Sequence, residues 1–154
     1  MRKPFFSFRR RTGLPPGSLV YTGEEKKHSP QISVFDYTPE AVKESTPASA
    51  AQLHPFRDSH SVTWINIDGI HDTTILREIG TIFDIDPLTL EDILNAGQRP
   101  KIEERDSYLF ISCKMYSQEM KEGKFPSEQI SIILTETCVL TFQERKGDVF
   151  ESIR

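Results

Sequence analysis

The sequence predicts an α+β fold, an α/β/α sandwich with a mixed, largely antiparallel central sheet flanked by helices. Alternating apolar segments come first, two segments with helical apolar stripes follow, and four strand-like segments joined by short connections come last. This order of strands, helices and antiparallel hairpins favours a mixed sheet covered by helices. A chain of 154 residues with a hydrophobic fraction of 36% is long enough for one domain with a hydrophobic core.

The first part of the domain is predicted from short apolar runs and turn signals. Residues 18–22 and residues 32–37 are expected to form strands, the second with largely alternating apolar side chains. Residues 38–45 begin with Thr-Pro-Glu, which resembles a helix start with proline at the first helical position, and a short helix is expected there. Residues 46–61 are rich in Pro, Ala, Ser and His and predict a loop or a weak helix.

A strand and two helices are predicted next. Residues 62–67 are expected to form the strand, and Asp72 is expected to cap the first helix, whose apolar side chains form one stripe that packs against a sheet. These side chains are Ile75, Leu76, Ile79, Ile82 and Phe83. Gly80 is expected to weaken this helix near its end. The second helix is expected over residues 87–95, with an acid at the N-cap and proline at the first helical position.

Four strand-like segments complete the domain. We predict strands over residues 101–104, 108–116, 129–135 and 138–143. Residues 121–127 are expected to form a polar hairpin loop, and residues 136–137 a tight connection. Cys113 and Cys138 lie inside these segments, where two lone cysteines are more often small buried residues in a reducing compartment than a disulfide.

The two ends of the chain are predicted to lie outside the domain. Residues 1–16 are expected to be a disordered basic tail with interleaved phenylalanines, and an arm that binds RNA or a membrane surface is the alternative. The segment from Asp148 to Glu151 resembles a capping box, so residues 148–154 are expected to begin a helix. Because a single helical turn is not stable by itself, we expect the chain to be the front part of a longer protein.

Charge and motifs argue against several classes of function. The net charge of −4 gives no general attraction to nucleic acid or to an anionic membrane. No stretch approaches the roughly 20 apolar residues that span a bilayer. The four histidines lie far apart in sequence without metal-ligand spacing, and no zinc-protease motif, phosphate loop or nucleophile elbow is present. An enzyme is therefore the weakest interpretation.

Two polar clusters are candidates for a binding site. Asn66, Asp68 and His71 follow a strand, at a place where ligands often bind in α/β sheets, but such residues more often make a turn and cap a helix. The second cluster is acidic and comprises Asp84, Asp86, Glu91 and Asp92. Mg²⁺ takes oxygen ligands and keeps several waters, so one or two carboxylates are enough to bind it.

The four acids differ in what their positions explain. Asp86 is best explained as an N-cap and Asp84 as a loop acid. Glu91 and Asp92 are adjacent on a helix and therefore point about 100° apart. They offer at most half of a metal site, to be completed by another chain or by a later segment, and a solvated acidic face is the alternative.

Several long strings follow one another in a recognisable order. They are Val-Thr-Trp-Ile-Asn-Ile-Asp-Gly at 62–69, Pro-Leu-Thr-Leu-Glu-Asp-Ile-Leu-Asn at 87–95 and Gln-Arg-Pro-Lys-Ile-Glu at 98–103. Further strings lie at residues 108–111, 114–115, 128–134, 139–144 and 147–150. Together they closely resemble the cytoplasmic domain of the CorA family of magnesium and cobalt transporters. The likeness runs from about residue 16 to the end and is weakest between residues 24 and 60.

The resemblance implies that residues 17–147 are a cytoplasmic α/β/α regulatory domain, which senses divalent cations and gates a transporter of the cell inner membrane. In that family the domain assembles as a pentameric funnel below the pore, and a stalk helix, two membrane helices and a Gly-Met-Asn sequence follow. Because none of these is found in the 154 residues, the fragment is expected to be unable to transport ions.

The resemblance also implies a regulatory cation site. The family binds divalent cations between neighbouring cytoplasmic domains through an acid that matches Asp92, with Glu91 beside it. Magnesium, or else cobalt or another divalent cation, is expected to bind weakly, with the partner carboxylate coming from the adjacent subunit's stalk. No nucleic acid partner is expected. A related zinc transporter and a free-standing soluble interaction domain of the same fold are the alternatives.

Overall fold

The computed structural model describes residues 13–23, 29–116, 125–145 and 150. Most of the predicted basic tail lies outside the described residues, as does the helix start predicted over 148–154, apart from Phe150. Much of the hairpin loop predicted over 121–127 is also outside them.

The described residues contain seven strands and three helices. The strands are β1 (Gln31–Tyr37), β2 (Val42–Ser45), β3 (Val62–Asp68), β4 (Lys101–Glu104), β5 (Leu109–Tyr116), β6 (Ser127–Leu134) and β7 (Cys138–Gln143). The helices are α1 (His54–Arg57), which continues a 3₁₀ turn at Ala50–Leu53, α2 (Thr73–Ile82) and α3 (Pro87–Ile93).

All seven strands form one sheet in the order β2-β1-β3-β7-β6-β5-β4. The central strands β3 and β7 are parallel, with Ile65 opposite Leu140, and every other neighbouring pair is antiparallel. Parallel neighbours need a long crossover, and here the crossover contains α2, α3 and the three strands β4 to β6. The α+β fold with a mixed, largely antiparallel sheet flanked by helices is therefore confirmed.

The hydrophobic core lies on one face of the sheet. Its strand side chains come from alternate positions, such as Ile65 and Ile67 of β3 and Leu140 and Phe142 of β7, none of them more than 1% exposed. The helices contribute Leu76, Ile79, Ile82, Leu90 and Ile93 to the same cluster. Burying one such side chain stabilises the fold by about 1.5–3 kcal/mol, so this face holds α2 and α3 on the sheet.

The opposite face of the sheet carries the other set of alternating side chains. Phe35 and Trp64 pack there with ring centroids 5.3 Å apart, and Phe150 meets the Trp64 ring edge-on at 5.9 Å. Ile102 and Leu134 on this face are 69% and 44% exposed. The described helices thus pack on one face, and aromatic rings cluster on the other.

Residues 18–22, predicted as a strand, do not join the sheet. The Thr22 amide donates to the Leu94 carbonyl at 3.1 Å, and the Ala96 amide donates to Thr22 Oγ1 at 3.1 Å. The segment therefore satisfies groups at the end of α3 that have no partner within the helix. The prediction was wrong because an apolar run does not specify which element the chain will pair with.

Residues 38–45, predicted as a short helix, form a turn followed by strand β2. The Thr38 amide donates to the Ala41 carbonyl at 2.9 Å, and the Ala41 amide donates to Thr38 Oγ1 at 3.2 Å. The prediction was wrong because a helix of two turns does not repay its nucleation cost, whereas this turn allows β2 to pair with β1.

The other elements are confirmed to within about two residues at each end. Asp72 accepts from the amides of Thr74 and Ile75 at 2.9 and 3.4 Å and so caps α2 as predicted. Asp86 accepts from the Leu88 amide at 2.7 Å and caps α3. The region predicted as a loop or a weak helix contains the short 3₁₀ turn and α1.

Candidate metal site

Helix α3 places its two adjacent acids in different surroundings. Glu91 Oε2 accepts from the Gly17 amide at 2.7 Å. Asp92 faces β4, where its Oδ2 lies 2.6 Å from Lys101 Nζ and its Oδ1 accepts from Gln98 Nε2 at 2.7 Å. The helix therefore separates the two carboxylates, as the angle of about 100° between neighbouring helical residues requires.

Gly17 can approach Glu91 closely because it has no side chain. Its φ is +78°, a conformation that favours glycine, and an added Cβ would lie 3.1 Å from Pro87 Cβ. This glycine lets the segment before β1 lie against the first turn of α3 and donate its amide to Glu91. Glu91 is thus engaged in joining two parts of the fold.

Asp92 belongs to a line of alternating charges that runs along β4. Lys101 Nζ lies 2.7 Å from Glu103 Oε1, and Arg105 Nη2 lies 2.8 Å from Glu103 Oε2. Burial alone lowers the pKa of Lys101, but hydrogen bonds to Asp92 and Glu103 and their charges outweigh burial and raise it. The hydrogen bond from Lys101 lowers the pKa of Glu103. Lys101 and Glu103 are therefore both charged at neutral pH.

The end of α3 that carries Asp92 is held by hydrogen bonds to the sheet. Gln129 of β6, 1% exposed, donates through Nε2 to the Asp92 carbonyl at 3.0 Å and to the Ile93 carbonyl at 3.4 Å. Carbonyls at a helix end lack partners within the helix, so a buried amide that bonds them fixes the helix to the sheet. Asp92 therefore lies at a helix end that is held in place on the sheet.

A buried acid, Glu144, lies just after β7 and was not predicted as a notable residue. It is 8% exposed and accepts from the Tyr21 hydroxyl at 2.7 Å and from the Gln129 amide at 3.1 Å. Burial lowers the pKa of nearby Lys114, while the charge of Glu144 acts to raise it. The sequence signal was an acid directly after a buried strand, which by itself does not identify these partners.

The cluster of Asn66, Asp68 and His71 spans the end of β3, and the contacts described for Asn66 and Asp68 are structural. Thr141 Oγ1 accepts from Trp64 Nε1 at 2.9 Å and donates to Asn66 Oδ1 at 2.6 Å, and Asn66 Nδ2 donates to Asp68 Oδ1 at 3.1 Å. These bonds cross-link β3 and β7 on the aromatic face. The His71 ring lies 6.4 Å from the Tyr21 ring, centroid to centroid.

The remaining acids of the second cluster do not join Asp92. Asp86 caps α3. Asp84 has a φ of +53° and is exposed, and the Ile85 amide just after it donates to the Gly80 carbonyl at 2.8 Å. A hydrogen bond between residues i and i+5, with a residue in the left-handed conformation just before the donor, is characteristic of the Schellman motif that ends helices. Asp84 is therefore part of the motif that ends α2.

The described residues by themselves do not make a complete metal site. Within residues 13–23, 29–116, 125–145 and 150, no three His, Cys, Asp or Glu side chains lie close enough to hold an ion together. Asp92 supplies one carboxylate, and Lys101 already lies against one of its oxygens. A divalent cation that uses this oxygen must therefore compete with Lys101 for it. Over the same residues, no helix is both long enough and apolar enough to cross a bilayer.

Comparison with known proteins identifies relatives of this chain. The sequence profile of the family described as CorA-like Mg²⁺ transporter protein matches residues 59–154. The chain is 48% identical over 142 residues to the cobalt/magnesium transport protein CorA of Thermotoga maritima, an alignment that covers 92% of this chain and 40% of that protein. The chain thus spans less than half of the length of this relative.

Two solved structures have a similar fold. The soluble domain of CorA from Methanocaldococcus jannaschii matches 75% of this chain and 41% of its own, with a TM-score of 0.52 and 16% identity. The ZntB cytoplasmic domain from Vibrio parahaemolyticus matches 76% of this chain and 45% of its own, with a TM-score of 0.54 and 13% identity. At these identities the likeness concerns the fold alone. The profile match over more than half of the chain shows that it belongs to the CorA-like Mg²⁺ transporter family.

Proposed function

We propose that this chain is the cytoplasmic, cation-sensing regulatory domain of a magnesium and cobalt transporter of the inner membrane, and that it does not itself transport ions. Its 48% identity to a cobalt/magnesium transport protein supports the choice of ions. The observation that carries the proposal is the Asp92 carboxylate, which stands on an anchored helix end and is 22% exposed.

Asp92 has the chemistry of one half of a weak site for a hard cation. Mg²⁺ prefers carboxylate oxygens and retains several waters, so it binds through few protein ligands. We propose that Asp92 supplies one carboxylate, that Glu91 lies beside the site and adds negative charge there while it keeps its bond to Gly17, and that a neighbouring subunit of a pentamer supplies the remaining ligands. A single chain is expected to bind Mg²⁺ in the millimolar range or more weakly, as sites with few charged ligands do.

Such a site explains gating through charge repulsion. Carboxylates that face each other across a subunit interface repel each other unless a cation lies between them. Bound Mg²⁺ would then favour the closed assembly, and loss of the ion would allow the subunits to separate. The ion shifts this equilibrium only by its difference in affinity for the two states, so removing the Asp92 charge should reduce the response to Mg²⁺.

Two alternatives lead to different expectations. A zinc transporter shares the fold, but the chain is 13% identical to the ZntB domain and 48% identical to the cobalt/magnesium relative, which favours the proposed ions. A free-standing interaction domain of the same fold would bind a partner without controlling transport. It is distinguished by whether the domain confers a magnesium response on a pore.

The proposal is tested by transplanting the domain. Residues 17–145 replace the aligned residues of the Thermotoga relative, and Mg²⁺ uptake into liposomes is measured with a fluorescent indicator at rising internal Mg²⁺. We expect uptake to decline as internal Mg²⁺ reaches millimolar levels, and the decline to weaken in the Asp92→Asn chimera. Asp84→Asn is the matched control, because it removes the same charge from an exposed residue whose left-handed conformation asparagine tolerates. Equal responses of both variants would contradict the proposal.

A further inference from the structure

We propose that Lys101 is a built-in counter-cation that competes with divalent cations for Asp92 and so lowers the affinity of the site. This inference rests on the proposed function, since it assumes that Asp92 binds the regulatory ion. It gives Lys101 a role in setting the ion concentration at which the site is occupied.

The geometry places a positive charge where the cation would bind. Lys101 Nζ lies 2.6 Å from Asp92 Oδ2, a distance typical of a charge-assisted hydrogen bond. Both side chains are partly buried, with 26% of Lys101 and 22% of Asp92 exposed, so water screens their attraction less than on an open surface. A divalent cation must displace this ammonium group before it can use that oxygen.

Lys101 has other stabilising contacts that it can keep when it moves away from Asp92. Its Nζ also lies 2.7 Å from Glu103 Oε1, and it stands 5.5 Å from the centroid of the Phe110 ring. A cation near an aromatic face is stabilised there. Lys101 can therefore keep one ion pair and its ring contact while it gives up the other ion pair. The arrangement has two discrete states, with Lys101 shared between two carboxylates or held by Glu103 alone.

This arrangement makes predictions of opposite sign for two neighbouring residues. Removing Lys101 frees Asp92 and should tighten Mg²⁺ binding. When the charge of Glu103 is removed, Lys101 keeps its ion pair with Asp92 and loses the other one. Lys101 should then hold Asp92 more strongly, and Mg²⁺ binding should weaken. From the range measured for exposed ion pairs, the expected change is about twofold to fivefold in either direction.

The test is calorimetric titration of the full 154-residue chain with MgCl₂. Lys101→Gln should bind Mg²⁺ about twofold to fivefold more tightly than the unmodified chain. The matched control is Arg105→Gln, which removes the same charge from a residue that contacts Glu103 and not Asp92, and its dissociation constant should change less than twofold. Equal tightening in both variants would mean that net charge alone is responsible, and would overturn the proposal.

A second pair of variants serves if Lys101→Gln does not fold. Glu103→Gln should weaken Mg²⁺ binding, whereas Glu104→Gln, which removes the same charge from an exposed neighbour on the other face of β4, should have a smaller effect. Equal weakening in the two variants would overturn the proposal.

Asp92→Asn separates failure of this inference from failure of the proposed function. If Asp92→Asn does not weaken Mg²⁺ binding, the assigned site is wrong and the inference fails with it. If Asp92→Asn weakens binding but neither pair of variants shows the expected difference, the site stands and only the role of Lys101 is overturned.

Discussion

The hydroxyl of Tyr21 donates a 2.7 Å hydrogen bond to the Glu144 carboxylate, across 123 positions of the sequence. Tyr21 precedes the first strand of the sheet, and Glu144 follows the last one. The other oxygen of Glu144 accepts from the backbone amide of Gln129. The side-chain amide of Gln129 in turn donates to the Asp92 carbonyl at the end of α3. This contact therefore joins the segment before β1 to the same polar network that supports Asp92.

Tyr21→Phe should lower the free energy of unfolding by about 1–3 kcal/mol, because it removes a donor from a buried carboxylate. Urea titration followed by circular dichroism measures the change. Tyr37→Phe is the control, since Tyr37 is half-buried on β1 and its substitution should change stability by at most about 0.5 kcal/mol. Similar losses in the two variants would show that the Glu144 contact does not stabilise the fold.

Thr141→Val should lower stability by about 1–3 kcal/mol, because valine has the same shape but can neither accept from Trp64 nor donate to Asn66. Trp64 is the only tryptophan in the chain, so its fluorescence emission reports this site directly. We expect the emission maximum to shift in Thr141→Val and to stay unchanged in Thr81→Val, a substitution on the exposed side of α2. An unchanged emission maximum in Thr141→Val would contradict the described hydrogen bond.

Gly80 lies where α2 crosses α3, and an added Cβ would come within 2.4 Å of Leu90 Cδ1. Gly80→Ala should therefore lower stability by about 1 kcal/mol, because overpacking outweighs the helix propensity that alanine gains. In a Leu90→Ala background the clash is absent, and the same substitution should be neutral or stabilising. Urea titration of the four chains measures this coupling, and an identical effect in both backgrounds would argue against the close approach.

Burial raises the pKa of Cys138, whose thiol is 3.1 Å from the Phe56 carbonyl. Above about pH 8.5, the ordinary pKa of a thiol, the unfolded chain loses this proton while the folded chain keeps it. Stability should then fall as pH rises towards the raised pKa, since the folded state binds more protons. Cys138→Ala should show a smaller loss of stability between pH 8.5 and 9.5 than the unmodified chain, measured by thermal unfolding. Parallel losses in the two chains would contradict burial of the thiol.

The elements with a strong local pattern could be predicted from the sequence. Helix α2 has a complete apolar stripe and a capping acid, and strands β5 to β7 are long apolar runs, so their positions follow from periodicity and turn residues. The predictions for residues 18–22 and 38–45 were wrong because the patterns in these segments are short. In both cases hydrogen bonds to a distant or neighbouring element decided the structure.

The candidate site could be predicted only in part. The separation of Glu91 and Asp92 follows from helical geometry, and the structure places them on different partners, as expected. The ion pair of Asp92 with Lys101 was not predicted, because it depends on how β4 returns to the end of α3. The Glu144 network was missed for the same reason, since Tyr21, Gln129 and Glu144 meet only in the folded sheet.

The central claim is that Asp92 is the residue of this chain that binds the regulatory cation. The most direct measurement is a MgCl₂ titration of the ¹⁵N-labelled chain, followed by the amide chemical shifts in NMR spectra. Saturable shifts in the millimolar range should centre on Asp92 and on the segment from Gln98 to Lys101, and Asp92→Asn should abolish them. Shifts spread over all exposed acids, or a titration that Asp92→Asn leaves unchanged, would contradict the claim.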